Sequence, residues 1–416
     1  MNIIIIRSCP NFCPYCFESS ERKHTQKNLL ELNDARILAE WIVKARGRSI
    51  GILGGEPFLH PHLREIIDIF KQECPAVPRM IFTGGLVKSK CFNLLNPFDA
   101  GLLFNVNETR DYPSLREANQ VIENVEMVIQ RGFDVTLGFN VWRSDFDTNF
   151  MPQLAYDMGR AGFRWALANP MWGKEARIVR PDQFKELSQR CFEMMQNATK
   201  LDLHCTLDCH LPLCFFNDEQ LAWLVRYQPQ TIMSLGTCNQ PLDVTPELEV
   251  IRCFSTSGFY RVHLLDFENE SALNDHFRER IDNALQSSGG ILPECKNCSA
   301  FNSSRCQGGC LGWSKVTEYK EIPNLAIQIF KCLKKDKAKE ALELVNNANR
   351  RFKTPLCLYL GAIAAQQLGD LPTAYRYSTQ ALYYTKDEKL RQKIIEFLKI
   401  FAHCPFSLEN QRRFKR

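Results

Sequence analysis

Six short β-rich runs alternate with amphipathic helical stretches through the first 170 residues, and this alternation restricts the fold more than any other feature. The strand candidates are residues 2–6, 49–53, 79–82, 100–106, 133–141 and 163–168. Between them, residues 31–44, 61–73, 114–131 and 149–161 space their apolar side chains at a helical period. In "LNDARILAEWIV", Asn33 is placed to cap the first of these helices. A strand followed by a helix and then another strand predicts parallel pairing, because a parallel crossover is long enough to hold a helix. The expected class is therefore α/β, with a parallel sheet left open or partly closed as a barrel. In such folds ligands sit at the C-terminal ends of the strands.

A chain of 416 residues allows two to three domains. The net charge of +5, with 24% charged residues, argues against a large nucleic-acid footprint. No run of 18 apolar residues occurs, so no membrane helix is expected. The N-terminal "NIIIIR" is too short for a signal-peptide core. The chain is thus expected to be cytoplasmic, where its 18 cysteines do not suit a disulfide framework. They are also clustered. Cys9, Cys13 and Cys16 form one group, and Cys205, Cys209 and Cys214 a second. Cys238 and Cys253 form a pair, and Cys295, Cys298, Cys306 and Cys310 a fourth group. Clustered thiols in a reducing compartment point to metal or iron–sulfur ligation. The isolated Cys74, Cys91, Cys191, Cys357 and Cys404 read as small buried hydrophobes.

The first group, in "RSCPNFCPYCFES", lies in the loop after the first strand. Zinc sites usually draw four ligands from two separated pairs. Three thiolates in one tight loop suit three irons of a [4Fe–4S] cube and leave the fourth iron open. One strand later, "GILGGEPFLHP" places Gly54, Gly55, Glu56 and Pro57 just past the second strand. Glycines let backbone approach closely, and a carboxylate accepts well from an ammonium group. Together these motifs resemble the radical S-adenosylmethionine (SAM) enzymes. The resemblance implies that Cys9, Cys13 and Cys16 bind a [4Fe–4S] cluster. It implies that the open iron chelates SAM, that Phe17 packs near the cluster, and that Gly54–Pro57 binds the SAM amino group. Thr83, Asn105, Asn107 and Asn140, at the ends of later strands, become candidate SAM contacts, and "ALANP" a candidate adenine wall. In that family a reduced cluster cleaves SAM to methionine and a 5′-deoxyadenosyl radical, which abstracts hydrogen from substrate.

The later cysteines, ending in "CKNCSAFNSSRCQGGC", resemble the SPASM extension, which holds auxiliary [4Fe–4S] clusters in radical SAM enzymes. The resemblance implies two such clusters. Cys238, Cys253 and Cys310 would serve one, and Cys295, Cys298, Cys306 and Cys332 the other. The first set is one ligand short. Either Cys209 or Cys214 completes it, or an open iron is left for substrate. Two departures stand out: Leu248 occupies a place where the family usually has glycine, and the Cys298–Cys306 gap is long. A zinc domain is the alternative for these cysteines.

The final hundred residues turn helical. "LYLGAIAAQQLGDLPTAYRYSTQALYY" closely resembles a tetratricopeptide repeat, and "KDKAKEALELVNNA" repeats part of it 33 residues earlier. A helical cap on the enzyme body is the alternative. The expected organisation is a radical SAM core barrel, a partial (β/α)6 barrel, over residues 1–175. A connector over 176–235, a SPASM-type domain over 236–320 and an all-α tetratricopeptide-like domain over 321–416 follow. The resemblance favours a ribosomally made peptide or a protein side chain as substrate, with the helical repeats binding it or a partner protein, and an electron donor such as flavodoxin or ferredoxin. The barrel starts almost at residue 1, without the usual leader-binding domain of peptide maturases, which makes the helical tail its substitute. A small-molecule or sugar dehydrogenase or epimerase of the same superfamily, and a non-catalytic iron–sulfur scaffold or electron-transfer protein, are the alternatives. Membrane and nucleic-acid partners are not expected.

Overall fold

The computed structural model describes residues 1–11, 13–16, 28–168, 179–238, 241–257, 261–282, 290–310, 312–313, 329–349, 355–385 and 387–401. The chain divides into two compact units, Met1–Ser314 and Lys315–Arg416.

The first unit is built on one sheet. Its parallel strands are β1 (Asn2–Ile6), β2 (Ile50–Gly54), β3 (Arg79–Thr83), β4 (Gly101–Asn105), β5 (Val135–Val141), β6 (Gly162–Leu167) and β7 (His204–Leu207). They stand side by side in sequence order. Helices α1 (Leu32–Lys44), α2 (Leu63–Glu73), α3 (Leu115–Gln130) and α4 (Phe150–Asp157) fill the crossovers. Their buried stripes, such as Leu63, Ile66, Ile67 and Phe70 on α2, recur at helical spacing. The central strands are apolar along their length: Ile3, Ile4 and Ile5 on β1 are almost wholly buried, as a sheet covered on both faces requires.

Local differences from the sequence reading have local causes. Helix α1 takes Glu31 as its N-cap without a side-chain bond, so Asn33 lies in its first turn. Within the expected connector, helix α5 (Phe184–Lys200) leads to strand β7, which pairs with β6 in parallel. Helix α6 (Asp218–Tyr227) follows, closed by a reciprocal Asn217–Gln220 cap.

At the other edge, β8 (Asp243–Val244) pairs with β1 in parallel, and β9 (Glu249–Ile251) and β10 (Arg261–His263) add in antiparallel fashion. The six strands of the partial barrel are thus flanked by β7 on one side and by β8–β10 on the other. The stretch between β10 and the CKNC motif also holds α7 (Glu270–Phe277), capped by the Asn269 side chain.

The second unit consists of α8 (Ala338–Asn349), α9 (Pro355–Gln367), α10 (Leu371–Tyr384) and α11 (Glu388–Leu398). Its core gathers Ala341, Val345, Leu358, Ala362, Tyr377, Ala381 and Ile394. Cys332 packs against this core, partly buried. Among the described residues no helix is long and apolar enough to cross a membrane.

Candidate active site and cysteine centres

The loop that carries Cys9, Cys13 and Cys16 is closed at its base. Ile6 bridges Leu29 in antiparallel fashion, and the Arg7 N–H donates to Asn28 O at 3.0 Å. The Gly54–Glu56 turn holds the loop from the side. Gly55 N–H donates to Ile6 O at 2.6 Å and Glu56 N–H to Ser8 O at 2.8 Å. A Cβ on Gly54 would stand 2.1 Å from Ile6 O, and one on Gly55 2.1 Å from Ser8 O. The two glycines therefore admit the chain's own backbone.

Glu56 is fully buried. Its carboxylate accepts from Phe58 N–H at 3.2 Å, from Thr83 Oγ1 at 2.9 Å on both oxygens, and from Gly84 N–H at 3.1 Å. Burial pushes its pKa up to about 7, opposed by those donors. The Thr83 hydroxyl is occupied in this way and also accepts from Gly85 N–H at 2.9 Å, so it positions Glu56.

Tyr15, between the second and third cysteines, went unremarked in the sequence. Its hydroxyl donates to Asn107 Oδ1 and also bonds the Asn140 side chain. Asn107 N–H in turn donates to Tyr112 Oη at 3.1 Å, and Asn140 Nδ2 to Asn105 Oδ1 at 3.4 Å. The three candidate asparagines thus meet around Tyr15 at the ends of β4 and β5, beside Cys13. Burial first, and then Cys16 and Cys9 as neighbouring charges, push the Cys13 thiol up to about 12.

A second missed feature borders the same strand ends. Arg143 bridges Glu108 and Asp111, tying the loop after β4 to the loop after β5, and lies 4.9 Å over the Trp142 ring. Its signal was the dense charge of "NETRDY" and "VWRSD" at consecutive strand ends. Phe17 and the "NP" of "ALANP" lie outside the described residues, as does Cys404.

The remaining cysteines fall into two sets. Leu211 bridges Leu235, Gly236 N–H donates to Leu211 O, and Gln307 N–H donates to Gly236 O, both at 2.7 Å. Gln307 Oε1 also accepts from Cys238 N–H at 2.7 Å. This relay draws the Cys209–Cys214 turn, Cys238 and the "CQGGC" loop together. Burial first, then Asp208, Cys310, Cys238 and Cys253, push the Cys209 thiol well above its usual value. Cys214 is exposed, yet the surrounding protein, with Cys295, Cys306 and Cys298 as further neighbours, raises its thiol to about 11.

The charge neighbours of Cys209 are thus Cys238, Cys253 and Cys310, and those of Cys214 are Cys295, Cys306 and Cys298. Cys332, expected in the outer set, lies in the second unit, packed against its helical core. Cys205 points into the core from β7 and joins neither set. Cys74, Cys191 and Cys357 are buried, whereas Cys91 is only half-buried.

Backbone amides face two of these thiols. Gly308 N–H reaches Cys306 Sγ at 3.3 Å and Gly312 N–H reaches Cys310 Sγ at 3.4 Å. Leu248 has a left-handed φ of +60° while nearly buried, so a glycine at that position would fit without strain. Among the described residues no three Cys, His, Asp or Glu side chains converge on a single-ion centre.

Comparison with known proteins agrees with this geometry. Residues 3–145 match the family described as the Radical SAM superfamily. No curated protein matches the chain in sequence. Among solved structures, the chain is similar to Streptococcus suis SuiB bound to precursor peptide SuiA, with a TM-score of 0.52 and 14% identity over 74% of this chain and 71% of that one. It is similar to native anSMEcpe with bound AdoMet, with a TM-score of 0.54 and 15% identity over 84% and 98% of the two chains. It is also similar to anSMEcpe with bound AdoMet and the Kp18Cys peptide, with a TM-score of 0.53 and 13% identity over 74% and 88%. At these identities the likeness is one of fold. The matched residues 3–145 coincide with strands β1–β5 of the partial parallel barrel.

Proposed function

We propose that the chain is a radical SAM enzyme with two auxiliary [4Fe–4S] clusters that modifies a ribosomally made peptide or a protein side chain. The observation that carries this reading is the closure of the three-cysteine loop against Gly54–Glu56 at the C-terminal ends of β1 and β2. When bound, the cluster and SAM together supply a 5′-deoxyadenosyl radical able to take hydrogen from substrate. The chain's own residues hold and orient these groups. Cys9, Cys13 and Cys16 ligate the first cluster. Glu56, held by Thr83, receives the SAM amino group. Asn105 and Asn140 face the ribose. Tyr15 and Asn107 lock the loop over the strand ends and keep water out.

The Cys209, Cys238, Cys253, Cys310 set holds one auxiliary cluster, and the Cys214, Cys295, Cys298, Cys306 set the other. Full ligation leaves no open auxiliary iron. The peptide substrate rests on the SuiB and anSMEcpe structures, which are described as bound to peptides. Helices α8–α11, read as tetratricopeptide-like, are proposed to bind that peptide or a partner.

Anaerobic reconstitution tests the reading. It should yield about twelve irons per chain, with Cys209→Ala and Cys214→Ala each losing about four. SAM and a reductant should give 5′-deoxyadenosine, and Cys13→Ala should abolish it. About four irons with bound zinc would remove the auxiliary clusters, and product from Cys13→Ala would remove the first.

A further inference from the structure

One buried cation lies against the cysteines around Cys209 and has no role in the reading above. Arg252 directly follows β9 and directly precedes Cys253. It is 7% exposed. Its Nε donates to both carboxylate oxygens of Asp282, just past α7, at 3.1 and 3.2 Å. Its Nη2 donates to Cys238 Sγ at 3.8 Å. The guanidinium therefore stands between a carboxylate and a thiol, with one edge turned to each. Burial works against its charge, but Cys238, Asp282 and Cys253 hold its pKa above the ordinary arginine value. An arginine side chain stays protonated in proteins, so this charge is permanent. A buried ion pair gains little stability by itself, and Asp282 answers only one edge of the fork. The other edge is aimed at sulfur.

We propose that Arg252 is a positioning residue that raises the reduction potential of the auxiliary cluster held by Cys209, Cys238, Cys253 and Cys310. The inference rests on the auxiliary-cluster reading. Reduction brings one electron from an external reductant onto the cluster and adds one negative charge to it. No bond forms or breaks. The potential of such a cluster follows its net charge and the hydrogen bonds to its sulfurs. A fixed cation that donates to a ligand sulfur favours the reduced form on both counts, and burial limits the screening of its charge. Asp282 has two effects. It orients the fork, so that Nη2 faces Cys238, and its own negative charge moderates the pull of the guanidinium.

The test is a potentiometric titration of the reconstituted full chain, followed by electron paramagnetic resonance, with iron counted in parallel. Cys209→Ala identifies the reduction step of this cluster, because that step is lost. Arg252→Gln should keep its iron and move that step about tenfold toward the oxidised form, about 59 mV lower for one electron. Arg252→Lys keeps the charge and should leave the step within about threefold of the unaltered chain. Asp282→Asn keeps an oxygen for Nε and removes the counter-charge, so it should move the same step about threefold toward the reduced form. A mere tether between β9 and the end of α7 would not give shifts of opposite sign. An unmoved step in Arg252→Gln, an equal fall in Arg252→Lys, no rise in Asp282→Asn, or iron loss in both Arg252→Gln and Asp282→Asn would overturn the proposal. If only Arg252→Gln loses iron, the direction of the Asp282→Asn shift decides. If Cys209→Ala loses neither iron nor a reduction step, the auxiliary-cluster reading itself falls and takes the proposal with it.

Discussion

At the scale of single residues, the site is governed by what burial does to Glu56. Its carboxyl, lifted from an ordinary 4.5 to about 7, is protonated in the free chain at mildly acidic pH. A raised carboxyl of this kind stabilises the fold below its ordinary value, and that contribution is lost as pH rises toward 7. An N–H donor from a bound amino group reverses the preference, because it bonds best to the ionised form. SAM affinity should therefore rise from pH 6 to about pH 7, by at most roughly tenfold per unit, and then level off. Glu56→Gln should flatten that rise; dialysis at three pH values checks both. Residues of this kind were only partly legible in the sequence. Glu56 announced itself through its neighbours Gly54, Gly55 and Pro57. Tyr15 did not, because its partner Asn107 lies 92 positions away and nothing local marks the pairing.

At the scale of elements, local signals served well. Strand β1 has the bounds expected from apolar spacing, and the other strands of the barrel differ by one or two residues at an end. What the sequence left open was how the later cysteines are shared. That sharing depends on backbone bonds joining residues 211, 236 and 307, which no spacing pattern encodes. The helical unit has its own sensitive contact. A Cβ on Gly361 of α9 would come within 2.6 Å of Val345 Cγ1 and 3.0 Å of the Tyr377 ring. Overpacking there costs about 1–3 kcal/mol, more than the ~1 kcal/mol alanine regains in helix propensity. Gly361→Ala should quicken amide exchange in α9 and α10 by up to about thirtyfold. Unchanged exchange would mean that the helices separate without cost.

At the scale of the whole molecule, two compact units divide the work proposed for the chain. A chain ending at Ser314 should keep its full iron content and its SAM cleavage but bind peptide substrate more weakly, as titration with a labelled peptide would show. Equal peptide binding by the short chain would take recognition away from the helical unit. The two kinds of cysteine site also differ in when they can come into being. Cys9, Cys13 and Cys16 leave the ribosome together, whereas in the proposed auxiliary set Cys209 waits for Cys310. At about 5–20 residues per second that interval is roughly 5–20 s. During it, half-assembled thiols of the auxiliary sets stand open to oxidants and stray metals. Expression at lower temperature or with slowed iron delivery should therefore damage the auxiliary centres before it damages the first.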